Sequence, residues 1–376
     1  IEYSPKFFRK NFNYLFGTVK KIVSVKEVET ESVKQMALQI LYTMMQRSPK
    51  VFSDNYIKEL LEMFFAHIIE TAEEATEEWM NPKEGYNEHT LEEVENEGTK
   101  FGTHGVEKML IVFGSKEILP TLSTLVQAML VSPDWRFKYS ALMALAGIGE
   151  HLESMDDVAP IVELVFKFFK DSNPRIRYAA FHLIGQMSDD CQPEFQTKFH
   201  NKVVPNLLSC LDEKVPRVLA HVFGAITNHF EGMISELTNI YLKDILPAIF
   251  PFVKTGSSFV RENALCAITA AAESARTYYR PYFEESVPII YEILKTHSQP
   301  EYKQLRGQCI ESITLMGFSV GKEYFMKFAS EIIDLLVYIQ KNDLAADSLD
   351  PQRSYVLSGW QRICLILEDE FVPYLS

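Results

Sequence analysis

The sequence predicts an all-α fold built from about eight stacked helical hairpins, and two periodic markers carry the prediction. A motif recurs about every 42 residues, with Arg or Lys at the equivalent position in four of its five copies. A proline followed by an apolar stretch keeps the same interval. Strand-like alternation is absent. This period, with two helical patterns per unit, indicates a HEAT-repeat α-solenoid. The equivalent positions are Lys138, Arg177, Leu219, Arg261 and Arg306, and Pro120, Pro160, Pro205, Pro247 and Pro288.

The helical pairs follow one another in a predicted single array over residues 1–376. Residues 1–117 form two less regular repeats, and an acidic insertion at about 70–97 interrupts the second, where Asn81-Pro82 and Gly85 oppose a continuous helix. Residues 118–320 form five regular repeats and residues 321–376 the final one. The regular repeats start near Ile118, Val158, Phe199, Leu242 and Tyr282, and the last near Lys322.

The core is predicted from columns, counted along each second helix from its Arg/Lys position. Columns four and seven are apolar in the five regular repeats, and column eight is small. These positions fall on one helix face and suit close helix packing. Column four is Leu142, Phe181, Phe223, Leu265 and Ile310; column seven is Leu145, Ile184, Ile226, Ile268 and Ile313.

Composition excludes several classes of function. The formal charge is −14, which disfavours direct binding to nucleic acid and favours basic partners. Apolar runs are too short for the ~18 residues that a membrane helix needs. The five cysteines form no C-x-x-C pair, as expected of reduced intracellular thiols. Because the chain starts at Ile1, we expect a fragment of a longer protein.

Column twelve is acidic in four consecutive repeats and is the candidate functional feature: Glu150, Asp189, Glu231 and Glu273. Three polar residues share its flank of the helix: His182, Gln186 and Asn228. The acids stand near helix C-termini, where the macrodipole disfavours negative charge. We therefore expect a row of sites for cationic side chains, each worth about 0.2–1 kcal/mol. The alternative is that these acids are merely solvated.

For two other charged features, a structural role is the preferred interpretation. Arg177, Arg261 and Arg306 are expected to bond acids and carbonyls of neighbouring repeats, with Asp134 and Asp171 as candidate partners. The composition of the acidic insertion is typical of a mobile, solvated loop. Its alternative role is to attract basic ligands or to compete with them.

Catalytic motifs are missing from the sequence. There is no H-E-x-x-H, Gly147-Ile148-Gly149 lacks the third glycine of a dinucleotide-binding loop, and Gly321-Lys322 lacks the P-loop spacing. We expect no enzyme activity, no cofactor and no metal site.

Several segments resemble the importin-beta (karyopherin-beta) family, most closely its importin-5 branch. They run from Ser132 to Glu150, from Pro174 to Met187, from Leu305 to Glu323 and from Asp350 to Tyr355, and the acidic insertion with Trp79 is also similar. The resemblance covers nearly the whole chain and is most specific from about residue 118 onward.

The resemblance implies a monomeric nuclear import receptor that shuttles between cytoplasm and nucleus. Such receptors hold lysine-rich localisation signals on an acidic concave surface, contact Phe-Gly nucleoporins through outer helices and release cargo to GTP-bound Ran. The column-twelve acids would bind lysines, with Gln186, Asn228 and His182 beside them. The repeats with the main Ran contact would lie outside this chain. The alternatives are a HEAT-repeat scaffold subunit of a non-transport complex and an enzyme with a hidden site.

Overall fold

The computed structural model describes residues 5–25, 31–83, 97–344 and 350–374. Within them the long helices form eight successive pairs and no strand occurs, which confirms the all-α HEAT-solenoid fold. Pairs 1 to 8 are Phe12–Val23 with Glu31–Arg47, Asp54–Thr71 with Glu97–Phe113, Ser115–Leu130 with Trp135–Ala146, Met155–Val165 with Pro174–Asp190, Glu194–Leu208 with Pro216–Glu231, Ser235–Thr255 with Ser258–Ala275, Arg280–Thr296 with Lys303–Val320, and Ala329–Asn342 with Gln352–Leu367.

Shorter helices accompany the pairs at Pro5–Lys10, Glu77–Met80 and Lys322–Phe325. The five prolines of the second periodic marker all lie inside first helices, as their spacing predicts. Proline there removes one intrahelical hydrogen bond.

The helices group into two compact units. Unit 1 holds pairs 1 to 4, up to residue 190, without residues 76–83. Unit 2 holds residues 76–83 and pairs 5 to 8. Within each unit the second helices pack side by side in one layer, and the first helices form the other layer. That the two units continue as a single array stays a prediction.

The predicted apolar columns form the core between these layers. Column four is buried throughout, with exposed fractions of 1% or less, and column seven is buried as well. Each such side chain contributes about 1.5–3 kcal/mol of transfer free energy. In column eight, Thr269 and Thr314 are buried, and their hydroxyls donate to the carbonyls of Leu265 and Ile310. The buried hydroxyls of this column are therefore hydrogen-bonded within their own helices.

The arginine column is structural, as predicted, but the carbonyls that Arg177 and Arg261 contact belong to their own pairs, where neighbouring repeats were expected. Arg177 Nη1 donates to the carbonyl of Asp171 at 2.8 Å. Arg261 Nη2 donates to the carbonyl of Lys254 at 3.0 Å. Arg306 instead forms a buried ion pair with Asp343. The proposed partner Asp134 was wrong, because its carboxylate caps its own helix and pairs with the adjacent Arg136.

The expectation of a mobile, solvated insertion is wrong for its first part, residues 72–83. In unit 1, Glu74 accepts hydrogen bonds from Trp135 Nε1 and Arg175 Nη2, both at 3.0 Å. In unit 2, Trp79 is only 6% exposed, and its carbonyl accepts from Arg217 Nε. The Arg217 guanidinium also lies 5.4 Å from the indole centroid. The rest of the insertion, 84–96, lies outside the described residues.

Candidate acidic ligand-binding site

In unit 1 the predicted acids Glu150 and Asp189 are exposed beside Asp190. Asp189 and Asp190 end the second helix of pair 4, and Glu150 lies in the turn after the second helix of pair 3. Both neighbouring charges act on Asp190 electrostatically. The structure therefore brings two predicted acids together with a third.

Glu150 lies outside the helix that was predicted to carry it, because the helix ends at Ala146. Gly147 and Gly149 follow, and glycine costs helix stability of about 1 kcal/mol relative to alanine. Gly149 also permits a close approach, since a Cβ there would lie 2.5 Å from Asp190 Oδ2. The tight turn thus places Glu150 next to the end of the following second helix.

Asp190 is the acid of this group whose ionised form is disfavoured by its surroundings. Burial raises the pKa of its carboxyl, and the charges of Glu150 and Asp189 raise it further. The amide of Gln186, which donates to Asp190 Oδ1 at 2.6 Å, opposes the shift. A carboxyl group whose pKa is raised by folding destabilises the folded state at every pH above the pKa that the group has in the unfolded chain. The loss of stability is therefore present at neutral pH.

Asp190→Asn should therefore stabilise unit 1 at pH 7.5, because it removes this charge and keeps the oxygen that Gln186 contacts. We expect a higher melting temperature than that of the wild type. Calorimetry at pH 7.5 measures it. Glu117→Gln is the matched control, since Glu117 is exposed on the first helix of pair 3 and its removal should change stability by less than about 0.5 kcal/mol. A lower melting temperature for Asp190→Asn contradicts the assignment.

In unit 2 the predicted acids Glu231 and Glu273 are exposed at the ends of the second helices of pairs 5 and 6. Desolvation raises the pKa of Glu273, Arg362 lowers it, and the charges of Glu231 and Glu311 raise it further. Arg362 Nη2 lies 3.0 Å from Glu311 Oε1. This group is therefore acidic with one internal arginine.

The three polar residues predicted beside the acids are all half-buried on second helices. Gln186 supports Asp190, and the ring of His182 stacks on Tyr178 at a centroid distance of 6.4 Å. Asn228 stands three residues before Glu231 on its helix. Binding of cargo by any of the seven predicted residues stays a prediction.

Sequence reasoning missed Asp190, Glu311 and Arg362. Asp190 is one residue past column twelve, and Glu311 stands in column five, on the same flank. That flank was a usable signal for Glu311, whereas Asp190 lies about 100° further round its helix than column twelve. Arg362 had no signal, because its contact with Glu311 joins residues 51 positions apart.

The layer of first helices in unit 1 carries two apolar grooves. One, of about 330 Å³, lies between the first helices of pairs 3 and 4; Leu122, Val126 and Ile161 are among its lining residues. The other, of about 310 Å³, lies between the first helices of pairs 2 and 3 and includes Phe65 and Met129. These grooves are in the opposite layer from the acids.

In the described part of the chain, no group of three or more His, Cys, Asp or Glu side chains is placed to hold a metal ion. No helix there combines the length and apolar character that crossing a membrane requires.

Comparisons with known proteins identify the class of this chain. Residues 161–191 match the HEAT repeat model. The chain is 28% identical over 382 residues to importin subunit beta-3 of Saccharomyces cerevisiae, and 23% identical over 378 residues to a probable importin-5 homolog of Dictyostelium discoideum. Each alignment covers all of this chain and 34% of the relative.

Solved structures of Kap121p match at a TM-score of 0.87 and 28% identity, covering 99% of this chain and 35% of that one. They include Kap121p bound to Nup53p, Kap121p bound to Pho4p at a TM-score of 0.86, and a Kap121p mutant with three acidic residues, about one repeat apart, replaced by lysine. The chain spans about a third of the length of these relatives.

The paired helices and the repeat match define a HEAT-repeat protein. Within that class, the chain is similar over its whole length to importins of the importin-beta family.

Proposed function

We propose that this chain is part of a nuclear transport receptor and holds extended, lysine-rich segments of cargo proteins along its second helices. The carrying observation is a pair of exposed acids in each unit, Glu150 and Asp189 in unit 1 and Glu231 and Glu273 in unit 2. Asp189, Glu231 and Glu273 carry their negative charge at helix C-termini, where the dipole disfavours it. A row of cationic side chains is the complement of such a surface.

The electrostatics of the two groups support a cationic ligand. Asp190 and Glu273 each feel like charges from neighbouring acids, so a bound lysine relieves repulsion besides forming its own contact. Glu150 and Glu273 form no ion pair within the described ranges of the chain. Each contact is worth about 0.2–1 kcal/mol, so affinity requires several lysines on one segment.

The relatives support the same proposal. Kap121p has been crystallised with Pho4p, Ste12p and Ulp1p, and mutants replacing its acidic residues have been crystallised as well. Those three acids are about one repeat apart, the interval of column twelve here. A scaffold subunit of a non-transport complex is the alternative. It would bind a folded partner and no basic peptide.

Reversing two acids tests the proposal. Asp189→Lys/Glu231→Lys should weaken binding of a fluorescent lysine-rich peptide by at least about ten-fold, because each site loses an attraction and gains a repulsion of up to about 1 kcal/mol. Fluorescence anisotropy at low and high salt measures it. Wild-type affinity should fall steeply with salt, since these contacts are Coulombic.

The matched control is Glu236→Lys/Glu292→Lys, which changes the net charge equally on exposed positions of first helices. It should leave affinity within about two-fold of wild type, apart from the general effect of net charge. Equal weakening by both double variants, or salt-independent binding, contradicts a site built on column twelve.

Two further roles belong to the proposal for the whole protein. Phe-Gly segments of nucleoporins would bind the apolar grooves between first helices, where Leu122 and Met129 offer sites for phenylalanine rings. The complex of Kap121p with Nup53p supports such a partner. GTP-bound Ran would release the cargo, and the receptor would shuttle as a monomer between cytoplasm and nucleus, without cofactor and without catalysis.

A further inference from the structure

We propose that Glu107 and His104, in unit 1, form an additional subsite for one lysine of the same extended ligand, next to the Glu150 position. The inference rests on the proposed function and extends it by one binding position. Both residues lie on the second helix of pair 2, in the layer that carries the acids.

The repeat register places Glu107 one interval before Glu150, on the preceding second helix. His104 stands three residues before Glu107, just as Gln186 stands three residues before Asp189. A carboxylate and a polar partner thus recur together at this spacing. The acidic insertion interrupts pair 2 and hides this register from a search that starts at the regular repeats.

The contacts of Glu107 join it to the acids already described. His151, the neighbour of Glu150, brings its Nε2 to 3.5 Å from Glu107 Oε1. His104 Nδ1 lies 3.0 Å from Glu107 Oε2. His151 follows Glu150 in one short turn, so Glu107 contacts the turn that carries Glu150.

A cavity adjoins this carboxylate and gives a ligand access to it. Its volume is about 620 Å³, and it lies between the second helices of pairs 2 and 1 and the end of that of pair 3. Its lining includes the carboxylates of Glu97 and Glu107 and the amine of Lys100. The aromatic ring of Phe101 and the absent side chain at Gly147 leave room for the aliphatic part of a lysine.

The structure already holds an ammonium group at this carboxylate. Lys108 Nζ lies 3.3 Å from Glu107 Oε1, and its side chain is 26% exposed. Burial, the largest single effect, raises the pKa of Glu107, but the hydrogen bonds and charges of Lys108 and His104 together hold it below its usual range. The group is therefore ionised at neutral pH and can exchange its tethered cation for that of a ligand.

The stacking distance sets the spacing of the ligand. Neighbouring packed helices lie about 8–10 Å apart, and an extended chain advances about 3.3–3.6 Å per residue. One repeat therefore corresponds to about three residues of peptide. A lysine three residues beyond the one at Glu150 would reach Glu107.

The test uses anisotropy titrations of labelled peptides with lysine at every third residue and Gly-Ser between. A three-lysine peptide is compared with peptides that carry a fourth lysine, or glutamine, three residues beyond either end. The proteins are the wild-type chain, Glu107→Gln, Glu107→Asp and the control Glu117→Gln. Glu117 is an exposed acid on the first helix of pair 3.

In the wild type and the control, the fourth lysine at one end should raise affinity about two- to five-fold, the yield of a single exposed ion pair. Glu107→Gln should lose this gain and still bind the three-lysine peptide normally, which also shows that it is folded. Glu107→Asp should keep part of the gain.

A gain that persists in Glu107→Gln, or no gain at either end in the wild type, overturns the subsite and leaves the proposed function standing. Failure of the three-lysine peptide to bind the wild type overturns both.

Discussion

Arg306→Ala is expected to destabilise unit 2 by about 3–5 kcal/mol, the cost of removing one partner of a buried ion pair. Arg306 is 2% exposed, and its Nη2 lies 2.5 Å from Asp343 Oδ2 across pairs 7 and 8. Alanine leaves the carboxylate of Asp343 without its cation and opens a cavity beside it. The melting temperature of unit 2 should fall by about 6–20 °C.

Tryptophan fluorescence can follow unit 2 separately. The chain has three tryptophans, and a Trp135→Phe background leaves Trp79 and Trp360, both in unit 2. Replacing both partners, in Arg306→Met/Asp343→Leu, is the control, because apolar residues of similar volume often substitute for a buried pair at little cost. If the single and double variants lose equal stability, the ion pair is not the reason.

Acid should destabilise unit 2 through His229, which is fully buried. Burial, and to a lesser extent the charge of the nearby His200, lower the pKa of its imidazole to about 3. The unfolded chain takes up a proton below about pH 6.5, whereas the folded chain stays neutral down to about pH 3. Stability is therefore complete above pH 6.5 and is lost as pH falls, by about 2 kcal/mol at pH 5.

His229→Met should remove this loss, so that its unfolding free energy falls by about 2 kcal/mol less than that of wild type between pH 7 and pH 5. Denaturant titrations at the two pH values, in the Trp135→Phe background, measure the difference. The slope with pH is the readout, because repacking against Phe195 and Phe230 changes stability equally at both values. Parallel curves for the two proteins would exclude His229 as the source.

The periodic part of the fold could be predicted because its cause is local. Apolar residues such as Phe181 and Ile184 recur at helical spacing, and the same spacing repeats in each pair. Burial of these columns is the direct consequence. The arginine column was interpretable for the same reason, since Arg177 reaches a carbonyl only six residues away.

What could not be predicted depends on contacts between distant residues. Trp79 docks because Arg217, 138 positions away, offers both a donor and a cationic face. Composition reports only the charge of that segment. Likewise, Asp190 packs closely against Gly149, in the turn that carries Glu150 outside its helix. The repeat period of the sequence does not predict this contact.

Arg362, beside Glu311 and Glu273, has a consequence for how quickly a receptor of the proposed kind can unload. When a lysine departs, the acids it leaves are partly neutralised by a resident guanidinium instead of by water alone. When the ligand lysine dissociates, Arg362 still balances part of the negative charge, and the free surface remains low in energy. Such a surface favours fast dissociation of the ligand over long-lived binding.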